Sequence, residues 1–110
     1  MLGVDLTDIR RFKEYSETLL IKFLHPIEIE QFKKVSITKR ADFLATRWAI
    51  KEAIFKADNQ YYSFNQINIT KDEVGRYVFK DFEISTSNEG IYIIAVVLKD
   101  RTNSRSYLWI

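Results

Sequence analysis

The first six residues alternate, with Leu2, Val4 and Leu6 on one side and Gly3 and Asp5 on the other. A period of two marks a strand, and the apolar trio predicts that its own face is the buried one. Thr7 is placed to cap a following helix, with Asp8 in the first turn. Ile9, Phe12, Leu19, Leu20 and Phe23 give that helix an apolar stripe, flanked by Arg10, Arg11 and Lys13. Pro26 opens a second, short helix through Phe32, since proline is tolerated at the first helical position. Lys39 to Ala57 contains no Gly or Pro and many strong helix formers, so it is the clearest helix of the chain.

Beyond Asp58 the pattern becomes extended, through Tyr61, Tyr62, Phe64, Ile67 and Ile69. Asp72 to Gly75 predicts a hairpin turn between Ile67–Lys71 and Arg76–Lys80. Glu83–Ser87, Ile91–Leu98 and Ser104–Ile110 read as further strands, with turns at Asn88–Gly90 and Asp100–Asn103. Helices precede strands, which predicts an α+β domain over residues 1–110. Its N-terminal strand and helices, including one long central helix, pack on a largely antiparallel sheet. Ile91–Leu98 is apolar on both faces, as expected of a central strand under the long helix or of a strand with a second surface to cover.

Composition removes whole classes of chemistry. The 110 residues include no cysteine and one histidine, His25. Thiolate zinc sites, disulfides, cysteine nucleophiles and histidine-rich metal cages are therefore excluded. His25 itself reads as a helix-start or surface residue. Seventeen Lys+Arg against fifteen Asp+Glu leave a net charge of +2, too mild to argue for nucleic acid. Met1 to Leu6 is too short and too soon followed by charge to read as a signal peptide. Ile91 to Leu98 falls far below the about 20 apolar residues that span a bilayer. The expectation is a soluble, cytoplasmic protein with no membrane partner, whose chemistry rests on carboxylates, lysines, arginines, hydroxyls and bound ions.

One carboxylate sits awkwardly. On a helical wheel the neighbours of Glu52 within about 60° are Ala41, Ala45, Trp48, Ala49, Phe55 and Lys56. A charge among small and aromatic residues needs a partner. One reading pairs Glu52 with Lys56 a turn later. The other makes Glu52 a metal ligand or base, with Asp5 as a second ligand and Lys56 holding a substrate anion. Two carboxylates without histidine suit a hard ion such as Mg²⁺, which draws its other ligands from phosphate and water.

Two segments together resemble one family. Gly3-Val4-Asp5-Leu6-Thr7-Asp8-Ile9-Arg10-Arg11-Phe12 is similar to its N-terminal signature, a Gly-x-Asp strand followed by an acidic residue and a basic helix. Phe43 to Ala57 is similar to its second, with the Trp48-Ala49-Ile50-Lys51-Glu52-Ala53-Ile54-Phe55-Lys56 core intact. The family is the 4′-phosphopantetheinyl transferases, in the small bacterial holo-[acyl-carrier-protein] synthase branch. The resemblance implies that phosphopantetheine passes from coenzyme A to a serine of apo acyl carrier protein, releasing 3′,5′-ADP. It implies Mg²⁺ on Asp5 and Glu52, with Asp8 near the metal's water shell. Glu52 and Lys56 would carry the catalysis, Lys56 facing the phosphates. Arg40, Arg47 and Lys51 are implied as further contacts to coenzyme A phosphates. Arg11, with Arg10 beside it, is implied as the docking point for the acidic helix of the carrier protein. A homotrimer with active sites between subunits is implied as well.

The sequence departs from the family twice. Ser85-Thr86-Ser87-Asn88 has Asn88 where the third motif carries histidine, and Asp58-Asn59-Gln60 replaces a glycine-rich turn. Asparagine can supply a hydrogen bond but no proton. Two other readings remain open at this point: a non-catalytic relative that binds carrier proteins, and a small RNA-binding α+β domain. Against the latter, the aromatic residues from Tyr61 to Phe82 are not interleaved with a basic run.

Overall fold

The computed structural model describes residues 1–100, so the strand expected at Ser104–Ile110 and most of the turn before it lie outside the described residues. Strand β1 covers Leu2–Asp8, which puts Thr7 inside the strand rather than at a helix cap. Asp8 caps instead: its carboxylate accepts from the Arg10 amide at 2.9 Å and starts a single 3-10 turn, Ile9–Phe12. The helix expected to run from Ile9 to Phe23 is therefore divided. Ser16 accepts from the Leu19 amide at 3.1 Å and begins a separate helix α1, Glu17–Phe23. A serine hydroxyl that captures a backbone amide favours a helix start over helix continuation.

Helix α2, Pro26–Lys33, has His25 as its N-cap. The His25 ring accepts from the Ile27 amide at 3.1 Å while Glu28 accepts from the His25 amide at 3.0 Å. Helix α3 spans Arg40–Ala57. The expected hairpin forms with short strands, β2 (Thr70–Lys71) and β3 (Tyr77–Val78). The Asp72 carboxylate gathers the Val74 and Arg76 amides, and Gly75 adopts φ +84°. Strands β4 (Phe82–Glu89) and β5 (Tyr92–Lys99) complete an antiparallel sheet in the order β1-β5-β4. The α+β class is as expected, and β5 is its central strand.

Helix α3 lies across one face of this sheet. Its Ala45, Ala49, Ala53, Ile50 and Ile54 are fully buried, as are Ala95 and Val97 of β5. Strand β1 faces the helix in the opposite sense to that expected. Gly3 and Thr7 are buried, whereas Leu2, Val4 and Leu6 are 66%, 48% and 63% exposed. The cause is the closeness of helix and strand. A Cβ at position 3 would overlap the Ala53 carbonyl oxygen and come within 2.9 Å of the Ala57 nitrogen. Only glycine permits that approach, so alternation sends the apolar trio outward. It joins Tyr92, Ile94, Val96 and Leu98, all exposed, in one apolar surface on the outer side of the sheet.

Candidate active site

With Gly3 pressed against α3, the next residue of the same strand face, Asp5, is delivered beside the last two turns of the helix. The open stripe of α3 consists of Trp48, Glu52, Phe55 and Lys56, while most of its other residues are buried. Lys56 reaches across to β1. Its Nζ lies 3.1 Å from Asp5 Oδ1 and donates to the Val4 carbonyl at 3.2 Å. The ion pair expected within the helix is thus replaced by one between helix and strand, because Asp5 is nearer to the ammonium than the turn below it. Thr7, which sequence reading treated as a cap, donates its hydroxyl to Asp5 Oδ2 at 2.6 Å.

Glu52 is left short of positive charge. Burial, and then the Asp5 carboxylate, push its pKa above the usual glutamate value, against smaller pulls from Lys56 and Arg11. Asp5, Glu52 and Lys56 therefore act on one another. Among the described residues no cluster of three or more His, Cys, Asp or Glu could share an ion. Two neighbouring carboxylates, one already drawing in an ammonium, fit instead a hard divalent cation that completes its shell with water and phosphate oxygens. They do not fit a closed all-protein metal cage.

The basic residues separate into two groups. Arg10 and Arg11 stand exposed at the mouth of the site. Arg10 is paired with Asp8 at 2.7 Å, which holds the Asp8 carboxyl below its ordinary pKa. The Arg11 guanidinium lies over the Trp48 ring at 5.5 Å and close enough to Glu52 to affect its titration. Lys51 and Arg47 are not brought to the site. Lys51 is fully buried, and its ammonium donates to Glu28 Oε1 and to the carbonyls of Phe23 (2.7 Å) and Phe64 (2.9 Å). All three of its protons are committed. Arg47 is 5% exposed. It forms an ion pair with Glu28 at 3.1 Å and lies between the rings of Phe43 and Tyr77. Their place on α3 explains this: they project toward α2, on the side of the helix away from β1.

Arg40 remains near the surface, over the Phe32 ring at 4.9 Å, and donates to the Val35 carbonyl at 3.0 Å. It precedes Lys56 by 16 residues on one helix, about 24 Å of rise, so the two cannot grip one phosphate within a single chain. Asn88 is exposed near the end of β4 and helps line an open cavity of about 680 Å³ with Leu6, Tyr92 and Ile94. That cavity opens on the outer apolar face of the sheet. It holds none of the three central residues.

Comparison with known proteins identifies the family. The model of the 4′-phosphopantetheinyl transferase superfamily matches residues 1–107. A holo-[acyl-carrier-protein] synthase of Mycoplasma mobile is 52% identical over 103 residues, which cover 94% of this chain and 92% of the relative. The crystal structure of holo-[acyl-carrier-protein] synthase from Neisseria meningitidis matches with TM-score 0.78 at 23% identity, covering 91% of this chain and 97% of that one. The enzyme of Helicobacter pylori, solved in complex with coenzyme A, matches with TM-score 0.73 at 25% identity, covering 91% of this chain and all of that one. The chain belongs to the 4′-phosphopantetheinyl transferase superfamily.

Proposed function

We infer that this protein transfers 4′-phosphopantetheine from coenzyme A to a serine of apo acyl carrier protein and releases 3′,5′-ADP. One observation carries the reading at atomic level. The two segments resembling the family's signatures, Gly3–Phe12 and Phe43–Ala57, are far apart in the sequence, and they meet in space through Asp5, Glu52 and Lys56. In the reaction the serine oxygen bonds to the β-phosphorus of coenzyme A as its proton passes to Glu52 or to water at the site. The bond from that phosphorus to the bridging oxygen breaks, and the 3′,5′-ADP oxygen leaves with the electron pair.

Asp5 and Glu52 would hold Mg²⁺, which supplies charge neutralisation on the pyrophosphate oxygens. Lys56 would exchange Asp5 for the phosphates and favour departure of the leaving group. Among the phosphate contacts expected from the sequence, Arg40 stays available, while Lys51 and Arg47 act as structural residues. Arg11 and Arg10 form the exposed positive face for an acidic carrier helix, a contact that speeds encounter and weakens with salt.

The homotrimer reading is supported by the outer sheet face, where seven apolar side chains from β1 and β5 are exposed together. Stacking of that face against other copies would bring the Asn88 cavity to a subunit boundary. Leu6→Glu, with a charge placed on this face, converts a trimeric mass to a monomeric one in light scattering if the reading holds. An unchanged mass contradicts it.

The transfer itself is tested by intact mass. Apo acyl carrier protein incubated with this protein, coenzyme A and Mg²⁺ gains one phosphopantetheine, on the order of 340 Da, and EDTA abolishes the gain. Coenzyme A binding without any gain on carriers from the same cell would favour a non-catalytic relative.

A further inference from the structure

Strand alternation puts Gly3, Asp5 and Thr7 on one face, turned to α3. Thr7 is 1% exposed, so its hydroxyl has no access to water as a partner. A buried hydroxyl needs a hydrogen bond, and this one donates to Asp5 Oδ2 at 2.6 Å. As a β-branched residue in a strand, threonine has few χ1 choices, which keeps the hydroxyl aimed. The two oxygens of Asp5 are thereby given different tasks. Oδ2 is tied into the protein by Thr7, while Oδ1 faces α3, where the Lys56 ammonium already meets it at 3.1 Å.

We propose that Thr7 is the positioning residue of the site: its hydroxyl fixes the Asp5 carboxylate so that Oδ1 is presented to a cation beside Glu52. Thr7 touches neither coenzyme A nor the carrier and acts through Asp5 alone. The proposal rests on reading Asp5 and Glu52 as a divalent-cation site. A fixed carboxylate loses less freedom on taking an ion, and groups that orient metal ligands are typically worth 10–100-fold in affinity.

The test is Mn²⁺ affinity, read as free Mn²⁺ by electron paramagnetic resonance, with coenzyme A present and carrier protein absent. Melting temperature is followed beside it. Asp5→Asn serves as the benchmark for the site itself. Thr7→Val keeps shape and branching without the hydroxyl and weakens Mn²⁺ binding roughly 10–100-fold. Thr7→Ser restores the hydroxyl and binds within about threefold of the natural protein. Thr7→Ala, which adds no bulk, repeats the measurement should valine prevent folding, and the same loss is expected.

If Asp5→Asn abolishes binding while Thr7→Val or Thr7→Ala binds as the natural protein does, the positioning role is overturned and the site stands. A serine variant as weak as the valine one also overturns it, because the hydroxyl is then not the operative group. If the natural protein fails to bind Mn²⁺, or Asp5→Asn binds normally, the site reading falls and the role of Thr7 falls with it.

Discussion

Replacing Glu28 by glutamine changes one buried oxygen to an amide and removes the carboxylate that, among the described residues, pairs with both Lys51 and Arg47. Glu28 and Lys51 are fully buried and Arg47 nearly so. Besides these two cations, Glu28 accepts from the amides of His25 and Ile69, so one carboxylate joins α2, α3 and the segment entering β2. Breaking a buried pair from one side costs about 3–5 kcal/mol, because a charge remains without compensation. Part of that cost is relieved if Lys51 sheds its proton, which from an ordinary pKa near 10.5 to pH 7 costs about 5 kcal/mol, whereas Arg47 stays charged. Burial already pulls Lys51 down to about 8, although the Glu28 charge pushes the other way.

Thermal unfolding by circular dichroism at fixed protein concentration should show Glu28→Gln melting about 10–20 °C lower. Glu28→Leu combined with Lys51→Met should recover part of that loss, since an apolar pair leaves fewer uncompensated charges. The pH dependence has a definite sign. Between about 8 and 10.5 the unfolded chain holds the Lys51 proton and the folded chain does not, so this group makes stability rise with pH across that window. Lys51→Met lacks the rise. A Glu28→Gln protein melting within about 3 °C of the natural one would refute the argument that this pair holds α2 on α3.

Gly3→Ala forces β1 away from the Ala53 carbonyl and should cost about 1–3 kcal/mol by denaturant unfolding while displacing Asp5. Normal stability and normal turnover together would show that the close approach is dispensable. Glu52→Gln should melt higher than the natural protein at neutral pH without metal. Its raised pKa means that ionisation opposes folding, and the advantage disappears once pH falls below the ordinary glutamate range. A lower melting temperature at pH 7 contradicts the sign of that shift. Arg11→Glu should weaken carrier-protein affinity about tenfold at low salt and flatten its salt dependence. An unchanged affinity would place docking elsewhere.

Much of this was legible in the sequence, for identifiable reasons. Period two revealed β1, the Gly- and Pro-free run revealed α3, and the Asp72–Gly75 turn revealed the hairpin, because each is a local signal. The facing of β1 was not legible. Alternation says that Leu2, Val4 and Leu6 share a side, but which side meets α3 depends on the room that Gly3 leaves at Ala53. The same inversion hid Thr7, since a hydroxyl before an acidic residue looks like a cap until the strand is seen to run through it. Lys51 and Glu52 are neighbours in the motif yet point to different faces of the helix, one into a buried ion network and the other to the open stripe. A signal for that division existed in the 100° step between them, but the capping carboxylate of α2 that takes Lys51 is a tertiary fact.

The central claim is that Asp5, Glu52 and Lys56 together carry phosphopantetheine transfer. Its most direct test is the time course of holo-carrier formation, by intact mass, for the natural protein and for Asp5→Asn, Glu52→Gln and Lys56→Met at saturating coenzyme A and Mg²⁺. The account predicts rapid conversion by the natural protein and a loss of about 100-fold or more in each folded variant. Conversion by Asp5→Asn or Glu52→Gln at nearly the natural rate would contradict it.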